Sequence, residues 1–289
     1  MPTGIVADIG PCVWVGRPGV VQVLGDTSEA VYVCGCGTGR LTGLRVQIEI
    51  PLNAMLTAII VAAGSSRRMG FDKLFADLHG KPVLWHSIAA FAKCEEVADL
   101  VLVTRAENLK QVESLVADAA PGKQCRVVVG GAERHLSVWG GLQTLDLAVS
   151  KFVAVHDGAR PLITPDSIRA CLALAERDGA ACCASPIPDT VKRVDLDSVV
   201  TESVDRVGLW AMQTPQIFES SLILQAYAAI ITRSDMVTDE VSAVQKLGRR
   251  VALYNNEEWN FKITFRRDME MAEHVLKLRD EAALKGTEQ

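Results

Sequence analysis

The chain has 289 residues, 49% of them apolar, and a formal net charge of −5 with both signs interspersed. That length accommodates one large α/β domain or two small ones around a sizeable core. The weakly acidic balance excludes a general nucleic-acid binder and a polybasic membrane patch, so work on polyanions falls to a local cluster of cations. No apolar run is long enough to span a membrane, and no basic stretch followed by an apolar one marks a signal peptide at the N-terminus. Among the eight cysteines, the Cys34-Gly-Cys36 pair is too close for an ordinary disulfide and no second pair completes a zinc site. Reduced, mostly buried cysteines fit a cytoplasmic protein.

Residues 1–54 are rich in Gly and Val and poor in helical patterns. Val20–Leu24, Ala30–Cys34 and Leu44–Ile50 are strand candidates. This extension carries no recognisable chemistry. Met55 stands just before the first core strand, which leaves two readings open: a start misassigned upstream, or a small accessory β-segment.

From Thr57 strands and helices alternate. Thr57–Val61 is a β-branched run that reads as a buried parallel strand, ended by Gly64. The small residues Ala62, Ala63, Gly64, Ser65 and Ser66 follow, and then Arg67, Arg68 and Lys73. A loop that small lets the backbone approach a ligand and turn its N–H groups toward an anion. Forked guanidinium donors and a compact ammonium beside it make a triphosphate cradle. It is neither the common P-loop nor the dinucleotide fingerprint, since Gly-Lys-Ser/Thr and Gly-x-Gly-x-x-Gly are both absent at the required spacing.

Lys81–Lys93 reads as a helix with proline near its start. Leu100–Thr104 is a strand, and Ala106–Ala120 an amphipathic helix stopped by Pro121-Gly122. Arg126–Gly130 is a strand, Arg134–Leu147 a helix, and Phe152–His156 a strand running into Asp157-Gly-Ala-Arg-Pro161. Thr164 caps a helix that Gly179 closes, and Ala181–Ile187 is a further strand. The alternation predicts a mostly parallel sheet covered by helices. Ligands on such sheets bind beyond the carboxyl ends of the strands, so the loops at Gly64, Gly130 and Asp157 are expected to converge.

Residues 188–208 break the rhythm. Asp189–Val194 and Ser198–Arg206 alternate polar and apolar residues and read as a hairpin arm. An isolated two-stranded ribbon is marginal, so a second subunit is the expected cover. Trp210–Phe218 returns to the body. Thr238–Gly248 is a capped helix, Val251–Tyr254 and Asn260–Thr264 are short strands, and Thr264 is expected to cap a last helix from about Arg266. His79, His86, His135, His156 and His274 show no metal-ligand spacing and read as structural or surface residues.

Eight motifs now stand in order: Ala62–Met69, Gly130–Arg134 with Ser137-Val138, His156–Pro161, Asp189–Lys192, Asp205-Arg206, Thr214-Pro-Gln216, Thr238–Glu240 and Asn260–Thr264. Together they resemble the 2-C-methyl-D-erythritol 4-phosphate cytidylyltransferase family of the non-mevalonate isoprenoid pathway, over about Leu56 to Leu278. The resemblance implies a cytidylyltransferase domain at 55–282. It implies a three-layer Rossmann-like nucleotidyltransferase fold, similar to glycosyltransferase A, with 188–208 as a protruding dimerisation arm. It implies CTP and methylerythritol phosphate as substrates, and Mg²⁺ as the cation, held by Asp157 directly or through water.

By resemblance Arg68 and Lys73 stabilise the transition state, with Lys81 the other lysine open to that role because the Met69–Asp72 spacer is short. Arg206 and Lys262 position the acceptor. Ala62, Ala63, Gly131 and Ser137 hold the cytosine, Gly64 is a further substrate-binding residue, and Ala132 stands where some relatives carry Asp. Asp157, Arg160, Thr190, Thr214 and Thr238 complete the substrate contacts, with Thr190 and Arg206 reaching the neighbour's site in a homodimer. Two other readings are open: a ribitol-phosphate cytidylyltransferase, and a non-catalytic nucleotide-binding regulator.

Overall fold

The computed structural model describes residues 56–64 and 69–286, together with Val33–Cys34 and Gly37–Thr38. The chain divides into two compact units, Met1–Ile50 and Pro51–Gln289. In the first, Val33–Cys34 pairs antiparallel with Gly37–Thr38. The strand candidates Val20–Leu24 and Leu44–Ile50, like Arg67 and Arg68, lie outside the described residues.

The second unit is built on a seven-stranded sheet, its strands numbered here in chain order. They are β1 (Leu56–Ala62), β2 (Val97–Thr104), β3 (Gln124–Val129), β4 (Phe152–Asp157), β5 (Ala180–Pro186), β6 (Trp210–Glu219) and β7 (Ala252–Asn255). Their order is β7-β5-β6-β4-β1-β2-β3. β6 runs antiparallel to β4 and β5; every other pairing is parallel.

The apolar runs are explained by burial on both faces. Ala58, Ile60 and Ala62 of β1 pack into one core with Leu100 and Leu102 of β2, while Ile59 of β1 packs into the other with Val101 and Val103. Helices α1 (Val83–Ala92), α2 (Leu109–Ala119) and α4 (Pro165–Asp178) close the first face. Helices α3 (Arg134–Leu142), α5 (Ser220–Arg233) and α6 (Glu240–Gln245) close the second. Fully burying one such isoleucine contributes about 1.5–3 kcal/mol, and the repetition along β1 and β2 makes them the mechanical centre of the sheet. Helix α7 (Arg266–Gly286) builds a third, smaller cluster in which Ala272 and Val275 meet Leu78, Val83, Leu162 and Ile263.

The mostly parallel three-layer architecture is as expected, with four local differences. Helix α3 stops at Leu142, where the Thr144 hydroxyl donates to Gly141 O (2.7 Å) and the Asp146 carboxylate takes Ala148 N–H (3.0 Å), so local side-chain bonds replace the helical ladder. Helix α5 was not foreseen: it has no side-chain cap, and its sequence is apolar nearly all round, which hides the helical period. The stretch 260–264 is not a strand. Its one sheet-like bond, Ile263 N–H to Ala159 O (2.8 Å), is joined by side-chain bonds rather than a ladder. Thr264 does not cap α7 through its side chain; the Asp268 carboxylate reaches back to the Thr264 and Phe265 N–H groups, each at 2.7 Å.

Candidate active site

The chain order reverses beside β1: β2 and β3 add on one side and β4 on the other, which makes the carboxyl ends of β1 and β4 a topological switch point. Register brings the strand ends level, with Ala62 opposite Thr104, Thr104 opposite Val129, and Val61 opposite Asp157. A cleft of about 660 Å³ opens there, within the size range of small-molecule sites. Val61, Ala63 and Gly64 line it from β1, Gly131 to Arg134 and Ser137 from the β3–α3 loop and α3, and Asp157 from β4. Lys73, Arg105 and Lys262 add cations.

Each wall is fixed by identifiable bonds. Gly130 N–H donates to Thr104 O (2.7 Å), and a Cβ on Gly130 would lie 2.7 Å from the Ala63 Cβ and 2.8 Å from Ser137 Oγ. The Ser137 hydroxyl points back to Gly131 O (3.3 Å) and Glu133 O (3.1 Å), which holds the loop against α3. Lys73 opens a short 3₁₀ turn capped by Asp72, whose Oδ1 accepts from Leu74 N–H (3.3 Å). Asp72 is itself bound by Arg105 and Asn108, so the turn is tied to the end of β2. The Lys73 ammonium donates to Ile263 O (2.5 Å).

Asp157 is the electrostatic centre. Its Oδ1 meets Arg134, with Nε and Nη2 each at 3.2 Å; its Oδ2 meets Lys262 Nζ at 2.9 Å and Arg160 Nε at 3.6 Å. Burial alone would raise this carboxyl, but the Arg134, Lys262 and Arg160 charges overturn that and hold it well below the usual carboxylate range. It is a permanent anion. Below it, the Asp157 N–H donates to Thr214 Oγ1 (3.0 Å), and Thr214 Oγ1 lies 3.0 Å from His156 Nδ1. His156 Nε2 faces Arg160 O at 3.2 Å and must donate there. The Thr214 hydroxyl therefore gives its proton to Nδ1, which makes His156 the neutral Nε2–H tautomer. Burial pushes its pKa down to about 3, in keeping with that bonding.

The structure brings Ala63, Gly64, Lys73, Gly131, Ser137, Asp157 and Lys262 to one cleft. Ala62 is the buried end of β1. Lys81 is elsewhere, paired with Asp118 at 2.7 Å on the surface, so of these two lysines it is Lys73 that lines the cleft. Arg160 is largely buried behind Asp157 and gives Nη1 to Asn260 O (2.8 Å), a supporting place rather than an open one. Thr214 lies under Asp157, and Thr238 is exposed two residues before Glu240. Thr190 and Arg206 sit on the arm outside the lining, where Arg206 reaches Pro188 O. Arg68 lies outside the described residues.

Sequence reasoning missed Arg105 and Arg134 in the lining, and Glu240 behind Arg134. Arg134 pairs with Glu240 through Nη1–Oε1 at 2.6 Å and Nη2–Oε2 at 3.1 Å. Both lie inside quoted motifs, but nothing in their spacing announces an ion pair.

A mostly parallel sheet with small residues and clustered cations at its switch point is the arrangement an enzyme of the nucleotidyltransferase class needs. A family model described as 2-C-methyl-D-erythritol 4-phosphate cytidylyltransferase matches residues 56–278. The enzyme of that name from Lachnospira eligens is 38% identical over 228 residues, covering 77% of this chain and 100% of that relative. That from Dehalococcoides mccartyi (strain 195) is 41% identical, covering 78% and 98%. The crystal structure of 4-diphosphocytidyl-2C-methyl-D-erythritol synthase from Anaerococcus prevotii superposes with a TM-score of 0.69 at 28% identity, over 78% of this chain and 99% of that one. The chain belongs to the 2-C-methyl-D-erythritol 4-phosphate cytidylyltransferase family.

Proposed function

We propose that the cleft transfers the cytidylyl group of CTP to the phosphate of 2-C-methyl-D-erythritol 4-phosphate. An acceptor phosphate oxygen attacks the α-phosphorus in line; the bond from that phosphorus to the bridging oxygen breaks, and its electron pair leaves with pyrophosphate. The nucleophile is already anionic, so no general base is needed, and catalysis reduces to positioning and charge neutralisation. The observation that carries this reading is the gathering of Lys73, Arg134 and Lys262 in a single cleft, where Arg134 and Lys262 flank the ionised Asp157.

Lys73, with Arg68, stabilises charge on the triphosphate. Ala62, Ala63, Gly64, Gly131 and Ser137 hold the cytosine through main-chain and small groups. Lys262 receives the acceptor phosphate, and Asp157 and Arg160 support it. Thr214 fixes the Asp157 backbone, and Thr238 lies on the acceptor side. Mg²⁺ would arrive with the triphosphate and supply further neutralisation of the leaving group. Asp157 is the carboxylate we assign to hold the Mg²⁺, directly or through water; both of its oxygens also face cations of the cleft.

The arm carries the remaining acceptor residues, Thr190 and Arg206, and we assign them to the site of a second copy in a homodimer. No described helix is long and apolar enough to cross a membrane. The direct test is pyrophosphate release from CTP, UTP or ATP with methylerythritol phosphate or ribitol phosphate as acceptor. CTP with methylerythritol phosphate is the expected pair. Turnover only with ribitol phosphate, comparable turnover with ATP, or none at all overturns the assignment.

A further inference from the structure

We infer that Glu240 and Tyr227, on helices outside the cleft, are positioning residues that fix Arg134 and, through Asp157, aim Lys262. The Glu240 carboxylate is fully buried. Its partners are the two Arg134 Nη groups, at 2.6 and 3.1 Å, and the Tyr227 hydroxyl at 2.9 Å. A guanidinium is planar and presents its donors in a fixed fork. With Nη1 and Nη2 held by Glu240, the Nε edge of Arg134 is turned to Asp157 Oδ1 at 3.2 Å. Oδ1 is thereby taken, and Oδ2 is left to Lys262 at 2.9 Å.

The far end of this relay is equally constrained. The N-terminus of α6 is tied to β6, because Val241 N–H donates to Gln216 Oε1 (3.0 Å) and Gln216 Nε2 donates to Asp239 Oδ2 (3.1 Å). Gln216 pairs with Val155 on β4, the strand that ends in Asp157. Glu240 is therefore held in register with the carboxylate it serves. Without the Glu240 charge, Arg134 has only Asp157 as an anionic partner and draws it away from Lys262.

The inference rests on the proposed transfer, and a double-mutant cycle tests it. Transfer to methylerythritol phosphate is measured at saturating CTP for the parent, Glu240→Gln, Lys262→Ala and the double variant. Glu240→Gln is expected to lower kcat/KM for the acceptor by about tenfold, as loss of a charge-assisted bond does. In the Lys262→Ala background the same change is expected to cost under about twofold. Equal losses in both backgrounds, or no loss in the parent, overturn it. Should Glu240→Gln not fold, Tyr227→Phe takes its place in the cycle: a loss of about threefold confined to the parent background supports the relay, and an equal or absent loss overturns it. Failure of the proposed function itself would appear differently, as absence of turnover in the unmutated protein.

Discussion

Lys73 and Lys262 come from distant parts of the chain and meet in one cleft, and their roles separate by kinetics. Lys73→Ala should lower kcat by about two to three decades, the scale of one lost transition-state donor. KM for CTP should move less, because the charge matters most as pyrophosphate leaves. Steady-state kinetics decides it, and an unchanged kcat removes Lys73 from the mechanism. His156 gives a pH prediction. Folded, it stays neutral because burial depresses its pKa from 6.5 to about 3. A histidine depressed in the fold contributes stability that is complete above the unfolded pKa and is lost as pH falls below it. His86, also depressed by burial, acts in the same sense. His79 is raised by Asp280 and Glu273, so its stabilisation is complete below about 6.5 and adds no slope beneath that. Urea midpoints should therefore fall between pH 6 and pH 5, and His156→Gln should flatten the fall; a midpoint that rises over that window contradicts the assignment. At this scale the places of Lys73 and Lys262 in one cleft were legible, whereas the Arg134–Glu240 pair was not, because a partner 106 positions away leaves no local signature.

The β3–α3 loop shows how an element imposes its own sequence. A Cβ on Gly131 would lie 2.5 Å from the Leu136 Cβ and 3.2 Å from a Leu136 backbone carbon. Gly131→Ala must push the loop off α3, a cost of about 1–3 kcal/mol on the scale of overpacking. The same displacement moves the cleft wall that we propose holds the cytosine. The variant is expected to melt several degrees lower and to raise KM for CTP at least about tenfold; a parental KM with a parental melting temperature would contradict the packing. Strands β1, β2, β4 and β5 were legible because burial on both faces writes them as short apolar runs, and the half-buried edge strand β3 because three valines end it. Helix α5 was not, since an all-round apolar helix without a cap lacks period and punctuation. The stretch 260–264 misled because its apolar and polar residues alternate, while its bonds run from the Asn260 side chain to Thr214 O and from Ile263 N–H to Ala159 O in the loop after β4.

On the scale of the whole molecule, the arm is the part that one chain leaves incomplete. Val191–Val194 pairs with Val200–Val204, and Lys192 faces Ser203 while Arg193 faces Glu202. Leu196, Val207, Val199 and Val200 are exposed on it. So large an apolar content on a thin ribbon calls for a covering surface, and a second copy is the simplest one. Its position was legible as a break in the strand–helix rhythm; its cover is not written in one chain. The proposed assembly of each working site from one chain's cleft and a second copy's arm has a direct test. Arg206→Ala and Lys73→Ala are each expected to be nearly inactive alone. In a mixed dimer, separated by two tags, one site receives both lesions and the other neither. Pyrophosphate release from the mixed dimer should recover up to about half the parental rate, by the symmetry of a two-fold contact. If Arg206 served its own chain, both mixed sites would carry one lesion and no activity would return.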